Sequence, residues 1–189
     1  MVALAAALFL FIFFFDRPAG EPPPRPAGGA LLPGLDATAV TRIEIVSTQE
    51  TLRVERTGTT WQLTLPVVYP AEPAAIDRFL ALAGQLRQLS SIPARDLSSQ
   101  PRGLGDFGLQ PPHTTLKIQQ RTSSLELCIG SQTPVGGQLY CQLGGSEGVQ
   151  VIGAAFLDHL PKSASDWRNR DLFNLGGLAF NRIEVRAGA

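Results

Sequence analysis

Residues 1–15 carry no charged side chain, and the run Leu8-Phe9-Leu10-Phe11-Ile12-Phe13-Phe14-Phe15 stops abruptly at Asp16-Arg17. Water does not tolerate such a tail, since each methylene transferred into hydrocarbon is favourable by ~0.8 kcal/mol. The run is shorter than the ~20 residues of a spanning helix, and no Lys or Arg precedes it. A cleaved signal-peptide core is therefore the competing reading. Asp16-Arg17-Pro18 makes a poor cleavage site, which favours retention of residues 1–15 as a transmembrane signal anchor. A buried helix of a soluble core fits worst, because one-sided periodicity is absent and a proline-rich stretch follows directly. With the amino end inside, the rest is expected on the extracytoplasmic side of the cell inner or plasma membrane, as a single-pass protein.

Residues 16–38 hold Pro18, Pro22, Pro23, Pro24, Pro26 and Pro33 with Gly20, Gly28, Gly29 and Gly34. That composition reads as a semi-extended linker, rising ~3.1 Å per residue where it takes the polyproline II form. Its P-x-x-P spacing is what any such tract contains by chance. Charge adds no partner: 16 Lys+Arg balance 16 Asp+Glu. The basic residues are scattered, leaving no footprint for a nucleic-acid backbone.

Residues 39–189 have the pattern of one folded domain. Alternation over 40–46, 51–56 and 61–65 predicts three antiparallel strands with turns near Gln49 and Gly58. Ile43, Ile45, Leu52, Val54, Trp61 and Leu63 are expected to face inward. Between 72 and 89, Ile76, Phe79, Leu80, Ala83 and Leu86 form a stripe of 3.6-residue period, predicting an amphipathic helix laid on the sheet. Pro73 falls in its first turn, where its missing N–H costs nothing. A turn-rich segment, 90–112, precedes renewed alternation over 115–119, 124–129, 138–141 and 149–152. Residues 154–160 read as a short helix stopped by Pro161. The expected class is α+β: two antiparallel β-meanders, one long amphipathic helix and a short C-terminal one, after an N-terminal transmembrane segment. Asn181-Arg182-Ile183-Glu184-Val185 echoes Thr41-Arg42-Ile43-Glu44-Ile45, as if residues 179–189 began a second repeat.

Two apparent motifs fail on context. Gly103-Leu104-Gly105-Asp106-Phe107-Gly108 spells G-x-G-x-x-G, but Pro101 before it and Pro111-Pro112 after it do not give the strand-to-helix turn a dinucleotide needs. Gly144-Gly145-Ser146-Glu147-Gly148 spells G-x-S-x-G between two short strands, which favours a hairpin tip over a nucleophile elbow. His159 with Asp158 or Asp166 would nonetheless supply the residue types of a hydrolase. His113 and His159 stand far apart, and the cysteines lack C-x-x-C spacing, so neither a metal nor another cofactor is expected. Asp158, Asp166 and Asp171 beside Arg168 and Arg170 read as solvated ion pairs.

Cys128 and Cys141 fall on neighbouring strands. A disulfide between them requires both side chains on one face. Cys128 shares its face with Glu126. Cys141 shares one with Leu139 and Leu143, which reads as core; if Tyr140 points inward instead, a bridge becomes feasible.

Several stretches together resemble the bacterial domain of unknown function 4340 family. They are the apolar anchor, Trp61-Gln62-Leu63 leading into a helix, and Gly105-Asp106-Phe107-Gly108-Leu109-Gln110-Pro111-Pro112. Leu127-Cys128-Ile129-Gly130 with Thr133-Pro134 and Tyr140 follow, then Asp166-Trp167-Arg168-Asn169-Arg170-Asp171-Leu172. The likeness covers most of 39–173. It implies a membrane-tethered extracytoplasmic protein, some relatives being auxiliary parts of gliding-motility-type ABC transport systems, and it carries no catalytic residues. The expected function is thus a non-enzymatic, partner-binding accessory domain of an envelope or transport assembly. Its partners are the membrane and an envelope protein rather than nucleic acid or a small-molecule substrate. Docking is expected through a sheet edge or the 90–112 loops. The alternative is an extracytoplasmic serine hydrolase using Ser146 and His159.

Overall fold

The computed structural model describes residues 28–97 and 103–170. The anchor at 1–15, the linker through residue 27 and the echo at 181–185 lie outside them. Among the described residues no helix is long and apolar enough to cross a membrane.

Nine strands of the described residues form one antiparallel sheet in the order β4-β3-β2-β1-β6-β7-β8-β9-β5. They are β1 (Val40–Ser47), β2 (Thr51–Thr57), β3 (Thr60–Leu65), β4 (Tyr69–Pro70), β5 (Ser90–Ile92), β6 (Thr114–Gln120), β7 (Ser124–Gln132), β8 (Gln138–Leu143) and β9 (Val149–Gly153). The two expected meanders are present, but they do not form separate sheets. Strand β1 pairs with β2 on one side and with β6 on the other, Ile43 lying opposite both Val54 and Ile118. This placement joins the halves, because Val40, Ile43 and Ile45 need apolar neighbours on both flanks.

One face of the sheet is largely apolar, with Gln120 and Gln150 as its buried polar side chains. Ile43, Ile45, Leu52, Val54, Trp61 and Leu63 are buried there as the alternation predicts, with Leu116, Ile118, Leu127, Ile129 and Leu139. Helix α1 (Pro73–Gly84) covers this face through Ile76, Phe79, Leu80 and Ala83. It ends before residue 89: Arg87 bridges Ala30 and the Leu89 N–H donates to the Val151 carbonyl, so 86–89 is extended and leads into edge strand β5. The predicted short helix is a 3-10 helix, Ala154–His159.

The opposite face is divided. Across β2, β1, β6 and β7 it carries Arg42–Glu55 (2.9 Å), Arg53–Glu44 (2.6 Å) and Lys117–Glu126 (3.8 Å). Toward β9 it is covered by a second small core in which Leu97, Phe107, Leu109 and Val149 are buried beside Tyr140 and Cys128. The segment read as turns, 90–112, therefore includes β5, the one-turn helix α2 (Ala94–Leu97) and the 3-10 helix Gly103–Phe107 that form this cover. Strand β9 is buried on both faces as a result.

The linker boundary at 38 also needs correction, since Leu31 and Leu32 are buried in the main core. The Gly28 N–H donates to the Gln88 carbonyl and the Leu31 N–H to Leu86. Gln120 clasps the rest: its Oε1 accepts from the Asp36 N–H (2.8 Å) and its Nε2 donates to the Gly34 carbonyl (3.0 Å). Asp36 then caps the 3-10 helix Ala37–Ala39, and hydrogen bonds from Thr38 hold its carboxyl below the usual range.

Antiparallel pairing sends the loops alternately to two ends of the sheet. Turns 58–59, 121–123 and 144–148 share one end. Loops 48–50, 66–68, 111–113 and 133–137 share the other, with the C-terminus of α1, the helix Ala154–His159 and the point where the chain enters at Gly28.

Candidate functional site

A groove runs between α1 and residues 154–167. Phe79 holds its two walls together, its ring 5.3 Å from Trp167 in an edge-on contact and 6.3 Å from Phe156. Trp167 is fixed from below, where its carbonyl accepts from the Glu72 N–H (2.8 Å) and the Asn169 N–H donates to Pro70 (2.9 Å). One part of the groove, about 380 Å³, is lined by Arg78, Leu82, Asp158, His159, Lys162 and Asp166. It continues past Leu82 and His159 into a more apolar part of about 310 Å³ walled by Leu86, Leu89, Ala155 and Phe156. Beyond the strap Leu160-Pro161-Lys162 a third hollow of about 630 Å³ is bounded by Ile45, Gln49, His113 and Thr114.

The rim of the groove carries charged and polar side chains. Among the described residues, Arg78, Asp158, His159 and Lys162 are held in no ion pair. Asp166 is committed: its Oδ2 accepts from the Lys162 and Ser163 N–H groups at 2.7 and 3.1 Å, closing a capping box. Arg168 lies over the Tyr69 ring at 3.7 Å and Arg170 donates to the Ser165 carbonyl. The ion pairs expected of these acids and arginines are thus replaced by a cap, a ring contact and a backbone bond. Asp171 lies outside the described residues. Sequence reading missed the groove, though Leu82 held a signal, being a leucine off the helix's inward stripe.

Ser146 and His159 are not brought together. Ser146 sits in the hairpin before β9 and His159 ends the helix after it, so the whole strand, ~17 Å at ~3.4 Å per residue, lies between them. The Ser146 hydroxyl is engaged locally. It accepts from Gln150 Nε2 (2.9 Å), which lets the buried Gln150 side chain satisfy its polar atoms within the hairpin, and it lies 3.4 Å from the Gly148 carbonyl. Gly103–Phe107 likewise plugs the second core, Phe107 meeting Tyr140 edge-on at 4.8 Å. Among the described residues no three His, Cys, Asp or Glu side chains cluster as a metal site.

The register settles where the thiols point. Ile129 lies opposite Cys141 and Gln142 opposite Cys128, so Cys141 enters the main core while Cys128 faces the second one. Both are free thiols. A bridge would have to pass through the sheet, and Tyr140 points to the Phe107 side, so the arrangement that would allow bonding is not adopted. Burial pushes the Cys141 thiol up to about 12. Desolvation raises Cys128 as well, against a hydrogen bond from Thr115 that lowers it.

The fold and groove define a class: a mixed sheet-and-helix domain with a partly apolar, ion-rimmed cleft. More narrowly, the chain belongs to the family described as Domain of unknown function (DUF4340), whose model matches residues 61–189. No curated protein and no solved structure matches it. Strands β1 and β2 precede the matched range, yet β1 is the strand that unites the sheet.

Proposed function

We propose that this chain is a membrane-tethered, extracytoplasmic domain without catalytic activity that binds a protein partner in the cell envelope, as an accessory of a transport-type assembly. The observation that carries the reading is the groove: Leu82, Leu86 and Leu89 with Phe156 beside the unpaired charges of Arg78, Asp158 and Lys162 and the His159 ring. Protein interfaces combine an apolar centre with a polar rim in this way. The sheet edges are less suitable than the sequence led us to expect. Strand β4 is partly covered by the Ala71–Arg168 bridge, and 90–112 is spent on the second core. The apolar run at 1–15 supports the tether.

Photo-crosslinking of the intact chain in its native membrane tests the reading. A photoreactive residue in place of Leu82 is expected to capture one discrete membrane protein, whereas the same residue in place of Glu147, at the other end of the sheet, is not. Equal capture from both positions, or none from Leu82, contradicts it.

A further inference from the structure

The exposed large hydrophobic side chains of the described residues are Val67 and Val68, each 64 % exposed, Val135 at 92 %, and Leu89 at 43 %. All four occupy one end of the sheet. Val67 and Val68 stand in the loop between β3 and β4, Val135 in the loop between β7 and β8, and Leu89 just before β5. The turns at the opposite end are polar: Gly58-Thr59, Arg121-Thr122-Ser123 and Gly144-Gly145-Ser146-Glu147. The apolar end is also the end at which the chain enters, because Gly28 is hydrogen-bonded to Gln88 beside Leu89.

We propose that this end of the sheet rests on the bilayer, with Val67, Val68 and Val135 as its points of contact with lipid. The inference builds on the tether reading and adds which surface meets the membrane. Residues 16–27 are all that separates the apolar run from Gly28. At ~3.1 Å per residue they reach no further than ~40 Å even when fully extended as polyproline II. Valines at separate loop tips are too weak to hold a free protein on lipid. On a short leash they need only compete with the domain's own freedom to turn, because tethering makes the second contact intramolecular. Arg87 and Lys162 share this end with Glu50 and Asp158, so net charge is not the attraction, and zwitterionic lipid suffices. Leu89, a wall of the groove, places the cleft's apolar part near the membrane surface, within reach of the extracytoplasmic face of an integral partner.

The test uses the full chain reconstituted into phosphatidylcholine vesicles whose acyl chains are brominated. Bromine quenches tryptophan only at close range, and the native Trp61 and Trp167 are buried and common to all samples. Emission added by Val135→Trp is expected to be quenched at least about twofold more than emission added by Glu147→Trp, as shallow insertion of one end requires. Val67→Asp with Val68→Asp, added to Val135→Trp, is expected to abolish the difference. Equal quenching at 135 and 147 overturns the inference, as does quenching that persists in the aspartate variant, since tryptophan itself would then be the cause. A chain that survives an alkaline wash of the vesicles yet shows equal quenching leaves the tether standing, whereas one that washes off overturns both readings.

Discussion

Gly130 is where the two cores meet most tightly. A Cβ there would run into the Phe107 carbonyl oxygen, and Gly108, at φ +67°, is pressed against Ser131 in the same crossing. Nothing flexible can give way, so Gly130→Ala is expected to cost about 3 kcal/mol in urea unfolding, the upper range for overpacking. Gly34→Ala meets nothing within 4 Å and is expected to change stability by less than about 0.5 kcal/mol. Cys141 gives a pH signature. Its thiol keeps its proton when folded up to about 12 and loses it near 9.0 when unfolded. Unfolding therefore releases a proton across that window, and stability falls as pH rises from about 9 toward 12. Cys141→Val should flatten this alkaline decline in thermal melts. Ser146→Ala would leave a buried Gln150 amide short of an acceptor. It is expected to cost about 1–3 kcal/mol with no effect on partner capture, whereas a nucleophile's loss would abolish activity with little change in stability. The inward positions of β1 to β3 were legible because strict alternation fixes a face. The thiols were less so: alternation names two faces without saying that both are covered, and Cys128 packs against a second core built largely from Leu97, Phe107 and Leu109, well before it in the chain.

At the scale of elements, the lead-in 28–39 is the piece whose composition misled. Proline and glycine report local stiffness and turning, and they say nothing about whether Leu31, Leu32 and Leu35 find a core. The clasp by Gln120 is long-range, joining residues 84 and 86 positions apart, and no local pattern announces it. Gln120→Ala should remove both bonds and destabilise the domain by about 2 kcal/mol, taking about 1 kcal/mol for each. Amide exchange should accelerate first at Asp36. Helix α1 was read correctly in type and in its buried stripe but not in its end. Periodicity continued to Leu86 and Leu89, while backbone pairing with Gly28–Leu31 and Val151 captured those residues as extended chain. The aromatic clamp on α1 is a further test: Trp167→Ala should cost about 3–5 kcal/mol and release the groove wall, seen as faster exchange over 164–169.

For the whole molecule, the division of labour follows from where apolar side chains go. The sheet uses one face for a large core and half of the other for a small one. That leaves a cleft beside α1 and an apolar end at the point where the chain enters. The fold class was readable because meanders and an amphipathic helix have local periods. Their union into one sheet was not, since it depends on β1 pairing with β6, a strand separated from it in the chain by β2 to β5 and α1. The cleft was hidden for the same reason, its walls coming from α1 and 154–167. The account stands on residues 1–15 holding this domain at a bilayer. Extraction of native membranes with alkaline carbonate, which strips peripheral proteins and leaves inserted ones, tests that most directly. The intact chain is expected to remain wholly in the membrane pellet and a chain lacking residues 1–15 to be released; an intact chain recovered in the supernatant would contradict the account.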